Sequence, residues 1–170
     1  MIIMRRFFHL LALCLLTCAA SGVAQADATS DARKAIQAIY NKVDQAVARR
    51  DFKGAFASHA ADYYYIDAKG RKITLAQLRR VTPRIMDAMQ SYKSKTTLQK
   101  LTLKGNTASV VSRDHTEATF VNPQTQKSSR VVVDSVLQES WIKTKQGWQR
   151  KWARNISSRQ TLDGRAIRRS

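Results

Sequence analysis

Two aspartates are the residues whose types and setting could do chemistry. Asp114 lies in Thr107–Phe120 and Asp134 in Arg130–Lys143, both stretches that read as strands. A carboxylate on the buried face of a strand is costly unless a partner compensates it. Such a group is either held in a structural pair, by Arg150 or a tyrosine hydroxyl, or works as a general acid or base whose pKa burial has raised. Asp114 and Asp134 are therefore the catalytic candidates. Tyr63, Tyr65, Asp114, Trp141, Arg150 and Trp152 are the residues expected to line a ligand pocket, with core packing as the alternative for the aromatic ones.

Other chemistries are disfavoured. Cys14 and Cys18 both fall near the N-terminus, so nothing after residue 26 can form a disulfide, a thiolate nucleophile or a cysteine-bound metal site. His59 and His115 are far apart and expected to point outward, which predicts no metal centre. No G-x-S-x-G, phosphate-binding loop or H-E-x-x-H motif occurs, and no cofactor is expected.

Alternation assigns the faces. Along Thr107–Phe120, one side carries Ala108, Val110, Ser112, Asp114, Thr116, Ala118 and Phe120, and is the more apolar. It should face the core, with Asp114 inward and His115 outward. In the last strand Trp148, Arg150, Trp152, Arg154 and Ile156 share a face, which their tryptophans predict to be inner. The strand between is ambiguous: Val132, Asp134, Val136, Gln138, Ser140 and Ile142 oppose Val131, Val133, Ser135, Leu137, Glu139 and Trp141.

These strands need something to pack on. The chain of 170 residues is 44% hydrophobic and 25% charged, ordinary for one globular domain. Residues 1–26 read as a secretory signal: Arg5-Arg6, an apolar run from Phe7 to Ala20, then an A-x-A pattern ending at Ala26. That run is too short to span a membrane, so cleavage leaves no transmembrane anchor. Thr17 before Cys18 makes a lipoprotein signal the poorer fit. A periplasmic or secreted protein is expected.

From Ser30, the spacing of Ala32, Ile36, Ile39, Tyr40, Val43, Ala46 and Val47 predicts a helix, capped at Ser30 or Asp31. Asp51–His59 predicts a short second helix and Asp62–Asp67 a strand. Thr74-Leu75-Ala76-Gln77 is a capping box opening a third helix, which Pro83 either kinks or restarts, its apolar stripe running on to Tyr92. Then the period falls to two, with strands at Lys95–Lys104, Thr107–Val121, Arg130–Lys143 and Trp148–Ile156. Helices first and an antiparallel meander after imply an α+β domain over residues 27–156, with residues 157–170 a basic, flexible tail.

Net charge is the outlier, 30 basic against 12 acidic residues, +18 in all. It predicts attraction to anions, including anionic envelope components, falling with salt. No motif for specific nucleic-acid recognition is present.

Asp51-Phe52-Lys53-Gly54-Ala55-Phe56, followed by Asp62–Arg71, resembles the short-helix and first-strand region of SnoaL-like and ketosteroid isomerase-like proteins. Gly105-Asn106-Thr107-Ala108-Ser109-Val110-Val111 is similar to their G-n-x-A-x-V hairpin, and Ser140–Trp148 to their closing v-W-v-k-x-x-G-x-W hairpin. With the element order, this identifies residues 31–156 as resembling the nuclear transport factor 2-like superfamily. The resemblance implies a cone-shaped fold with N-terminal helices on a curved antiparallel sheet, and a homodimer through the sheet. It implies no single activity, because binding modules, isomerases, cyclases and dehydratases share the fold. Three readings follow: an exported binder of a small, partly apolar molecule; a cofactor-independent acid/base enzyme using the same pocket; or an interaction module for a protein or an envelope polyanion.

Overall fold

The computed structural model describes residues 3–122 and 124–167, with side chains from residue 26 onward. The expected signal thus lies almost wholly outside the described side chains. Helix α1 is Ile3–Ala48. It passes through Ser30 and Asp31 without the expected cap, since no glycine or proline stands between Val23 and Ala48 to stop it. Ala32, Ile36, Tyr40 and Ala46 are buried, as the stripe predicts. The helix closes where Arg50 turns left-handed at φ 58°.

Next come α2 (Phe52–Ala55), β1 (His59–Ile66), β2 (Lys72–Thr74) and α3 (Leu75–Asp87). The second helix is one turn only, shorter than expected. It opens on a tight cap: Asp51 accepts the Gly54 N–H, and a Cβ at Gly54 would collide with the Asp51 carboxylate. The predicted capping box is present at α3, where Thr74 accepts from Gln77 N–H and the Gln77 side chain takes the Thr74 N–H. Pro83 sits inside α3 without ending it.

Strands β3 (Met89–Lys104), β4 (Thr107–Val121), β5 (Ser128–Thr144) and β6 (Gly147–Leu162) form the meander, and β7 (Arg165–Ala166) folds back on β6. Sheet order is β2-β1-β6-β5-β4-β3, curved and unclosed. One pairing departs from antiparallel: β1 runs parallel to β6. Strand β3 starts six residues before the expected Lys95, so Tyr92 belongs to the sheet and not to the third helix.

The expected tail is largely sheet. Residues 157–162 continue β6 and pair with Val131–Val136 of β5, and the Asp163 side chain accepts the Arg130 N–H at 2.7 Å. Low apolar content points to a tail, but here a neighbouring strand supplies the backbone partners. Extra residues at Gln90 and Gln99 in β3, and at Lys151 and Ile156 in β6, break the two-residue register and bend the sheet around α1. One core joins Ile36 and Tyr40 of α1 to Leu98, Leu101, Val110, Trp141 and Trp148; a smaller one joins Tyr63 and Ala153 to Leu75 of α3.

Candidate functional site

Glu139, on β5, is a charged side chain that is wholly buried. Its Oε1 accepts from Ser112 Oγ at 2.6 Å, and its Oε2 from Tyr40 Oη at 2.9 Å and Trp141 Nε1 at 2.8 Å. Arg150 Nε lies 3.0 Å from the same Oε2 as an ion pair, its N–H directed aside from the hydrogen-bond line. The guanidinium also rests over the Trp141 and Tyr40 rings, 5.0 and 5.3 Å from their centroids, and its charge acts on the Tyr63 hydroxyl. Burial pushes the Tyr40 phenol far up, helped by the Glu139 charge. Four elements thus meet on one compensated carboxylate.

Beside this network, His59 opens β1. It packs edge-on against Tyr63 at 4.3 Å and Phe56 at 5.6 Å. Burial, with the Arg150 charge adding to it, pulls the imidazole down to about 3, so it is neutral at ordinary pH. Its buried Nδ1 has no hydrogen-bond partner. His59 forms part of the wall of an open recess of about 520 Å³ between α2 and α3, with Phe52, Phe56, Ala57, Lys53 and Arg79 around it. The Arg79 guanidinium lies 6.0 Å from the Phe56 ring centre. An apolar floor, a neutral polar ring and two cations suit a small molecule with an apolar body and a negative end.

A second polar cluster stands further along the concave face. Asp114 Oδ1 lies 3.1 Å from Ser94 Oγ and 3.3 Å from Thr96 Oγ1, and Thr116 Oγ1 lies 3.2 Å from Oδ2. Asp44 of α1 shares two of those hydroxyls, at 3.2 and 3.1 Å, and accepts the Thr96 N–H at 2.8 Å. Each hydroxyl carries one proton, so three protons face five contacts. Burial, reinforced by Asp44, raises the Asp114 pKa.

The expected site residues separate accordingly. Tyr63, Trp141 and Arg150 gather in the buried network rather than along an open wall. Tyr65 is half-buried, its hydroxyl 3.3 Å from Asn155 Nδ2. Asp114 faces inward as expected, but hydroxyls compensate it, not Arg150. Asp134 faces outward, 3.0 Å from His115 Nδ1 and 3.4 Å from Arg113. Trp152 also leaves the inner face: the extra residue at Lys151 reverses the alternation, so Ala153 is buried and Trp152, Arg154 and Ile156 are not part of the wall. His115 points outward as expected, whereas His59 points in.

Glu139 escapes a reading by alternation, because apolar and polar residues mix on both faces of its strand. One signal could have found it: counting back from the Thr144–Gly147 turn pairs Trp141 with Arg150, which sets Glu139 on the same face as that arginine.

No protein-family model and no curated protein matches the sequence. Solved structures do match in fold. A nuclear transport factor 2-like superfamily protein from Salmonella enterica serovar Typhimurium superposes with TM-score 0.58 at 16% identity, covering 76% of this chain and 92% of that one. A hexachlorocyclohexane dehydrochlorinase, LinA type 2, gives TM-score 0.60 at 10% identity over 76% and 87% of the two chains. A putative scytalone dehydratase from Novosphingobium aromaticivorans gives 0.62 at 11% identity over 74% and 84%. The chain has the nuclear transport factor 2-like fold, an α+β cone of N-terminal helices on a curved sheet.

Proposed function

We propose that this chain is an exported small-molecule-binding domain, its ligand small, partly apolar and negatively charged at one end, seated in the α2–α3 recess. The carrying observation is the wall of that recess: Phe52 and Phe56 beside a neutral His59, with Arg79 and Lys53 offering cations. The interior arginine supports binding over catalysis, since Glu139 already neutralises Arg150. Export rests on the residue 1–26 pattern, and the net charge of +18 suits a periplasmic or secreted setting among anionic envelope components.

The test uses 8-anilinonaphthalene-1-sulfonate, an aromatic anion of the proposed kind. Its fluorescence should rise saturably with the folded protein. Phe56→Ser should weaken binding by about tenfold, from the lost apolar contact. Arg159→Gln, on the outer sheet face, should leave it unchanged. Equal binding by wild type and Phe56→Ser would remove the recess as the site.

A second reading, a cofactor-independent acid/base enzyme, has its own support in Asp114: a carboxyl with raised pKa, bonded to hydroxyls rather than to a cation. A recess of about 260 Å³ lined by Val47, Met86, Met89 and Tyr92 lies on that side of α1. Asp114→Asn would abolish turnover under that reading and leave dye binding intact under the first.

A further inference from the structure

Strand β3 is the long edge of the sheet, with 16 residues and no strand beyond it among the described residues. Its outward backbone groups would ordinarily be open to another extended chain. Here those of Thr96 and Leu98 are taken by side chains of α1. Gln37 is the centre: its Nε2 donates to the Thr96 carbonyl at 2.9 Å and its Oε1 accepts the Leu98 N–H at 2.9 Å. A neighbouring strand would meet those same two groups. Arg33 Nη1 donates to the Leu98 carbonyl at 3.3 Å, and Asp44 accepts the Thr96 N–H at 2.8 Å. At the strand's start, Arg50 donates to the Met89 carbonyl at 2.7 Å.

The spacing is not that of the core stripe. Ala32, Ile36 and Tyr40 enter the core, while Arg33, Gln37 and Asp44, four and seven residues apart, form a second stripe along the strand edge. On the outer face of β3, Lys93, Lys95, Lys100 and Lys104 are exposed. A lysine row on an edge strand opposes approach by an identical row.

We propose that α1 is an edge guard: the Arg33–Gln37–Asp44 stripe conceals a strand-pairing surface on β3 whose occupant, once uncovered, is the β3 of a second copy of this chain. The second copy is the fitting occupant because its own edge carries the same groups at Thr96 and Leu98 and can meet them about a two-fold axis. The lysine rows are the remaining barrier, and it is one that salt screens.

The experiment uses the full chain with Arg33→Ala/Gln37→Ala, which leaves the Asp44–Asp114 cluster untouched. In dilute solution the Leu98 amide should exchange about tenfold faster than in wild type, the loss of one hydrogen bond. As concentration rises, sedimentation should show mass doubling over that of wild type, more at high salt than at low, with Leu98 protection returning. Gln37→Ala alone provides the milder variant should the double one lose its circular-dichroism spectrum. An unchanged Leu98 rate, a variant that never gains mass, or association that leaves Leu98 exchanging fast would each overturn the proposal.

Discussion

Two carboxylates lie on the same concave surface and are treated differently. Glu139 is wholly buried, yet an arginine, two hydroxyls and an indole N–H surround it, so its charge is matched where it sits. Asp114 is less enclosed, has only hydroxyls around it, and stands opposite a second carboxylate. Depth alone does not set how a carboxyl behaves; the charge of what surrounds it does. The Glu139 joint is fixed by its partners, whereas burial and the neighbouring Asp44 raise the Asp114 pKa.

Breaking the joint has the largest expected effect. Glu139→Ala leaves Arg150 buried and unpaired and strands the Tyr40, Ser112 and Trp141 donors, so denaturant unfolding should show a loss of about 3–5 kcal/mol. His59, on the edge of that network, comes next. Its pKa is depressed to about 3, so the folded state excludes the proton that the unfolded chain takes up. Stability from this group is present above the ordinary histidine pKa and is lost as pH falls from there toward 3. Thermal unfolding followed from pH 7 to pH 4 should lose about 3 kcal/mol, a slope that His59→Phe removes.

Asp114 should behave in the opposite sense. Its folded pKa is raised by burial, so its contribution is present at low pH and is lost as pH rises through the folded value. Asp114→Asn should flatten that slope and sit within about 1 kcal/mol of wild type at neutral pH, on the stable side. The smallest effect belongs to the outer face. His115 is held up in pKa by Asp134 and Glu117, but its side chain is 45% exposed. His115→Ala should cost under about 0.5 kcal/mol at low salt and nothing at high salt.

Much of this comparison is legible in the sequence. The burial face of Thr107–Phe120 follows from alternation alone, which puts Asp114 inside. The Thr74–Gln77 capping box and the Gly105-Asn106 turn are equally readable, because each rests on local backbone chemistry. Glu139 is hidden for a different reason: Val132, Val136 and Ile142 on one face stand against Val131, Val133, Leu137 and Trp141 on the other, a difference too small for alternation to choose a face. Trp152 is misplaced because one extra residue at Lys151 inverts the side chains from there to the second extra residue at Ile156, and nothing in residue type marks such an insertion. Gln37 looks like an exposed helical residue; that its amide faces the edge of β3 depends on how the helix docks, a tertiary fact.

The central claim is that the α2–α3 recess, and not the charged outer sheet, takes the ligand. A ¹H–¹⁵N shift titration with 8-anilinonaphthalene-1-sulfonate tests it most directly. Saturable shifts clustered at Phe52, Phe56, His59 and Arg79 are the predicted result; shifts confined to Lys95, Arg113 and Arg159 would contradict it.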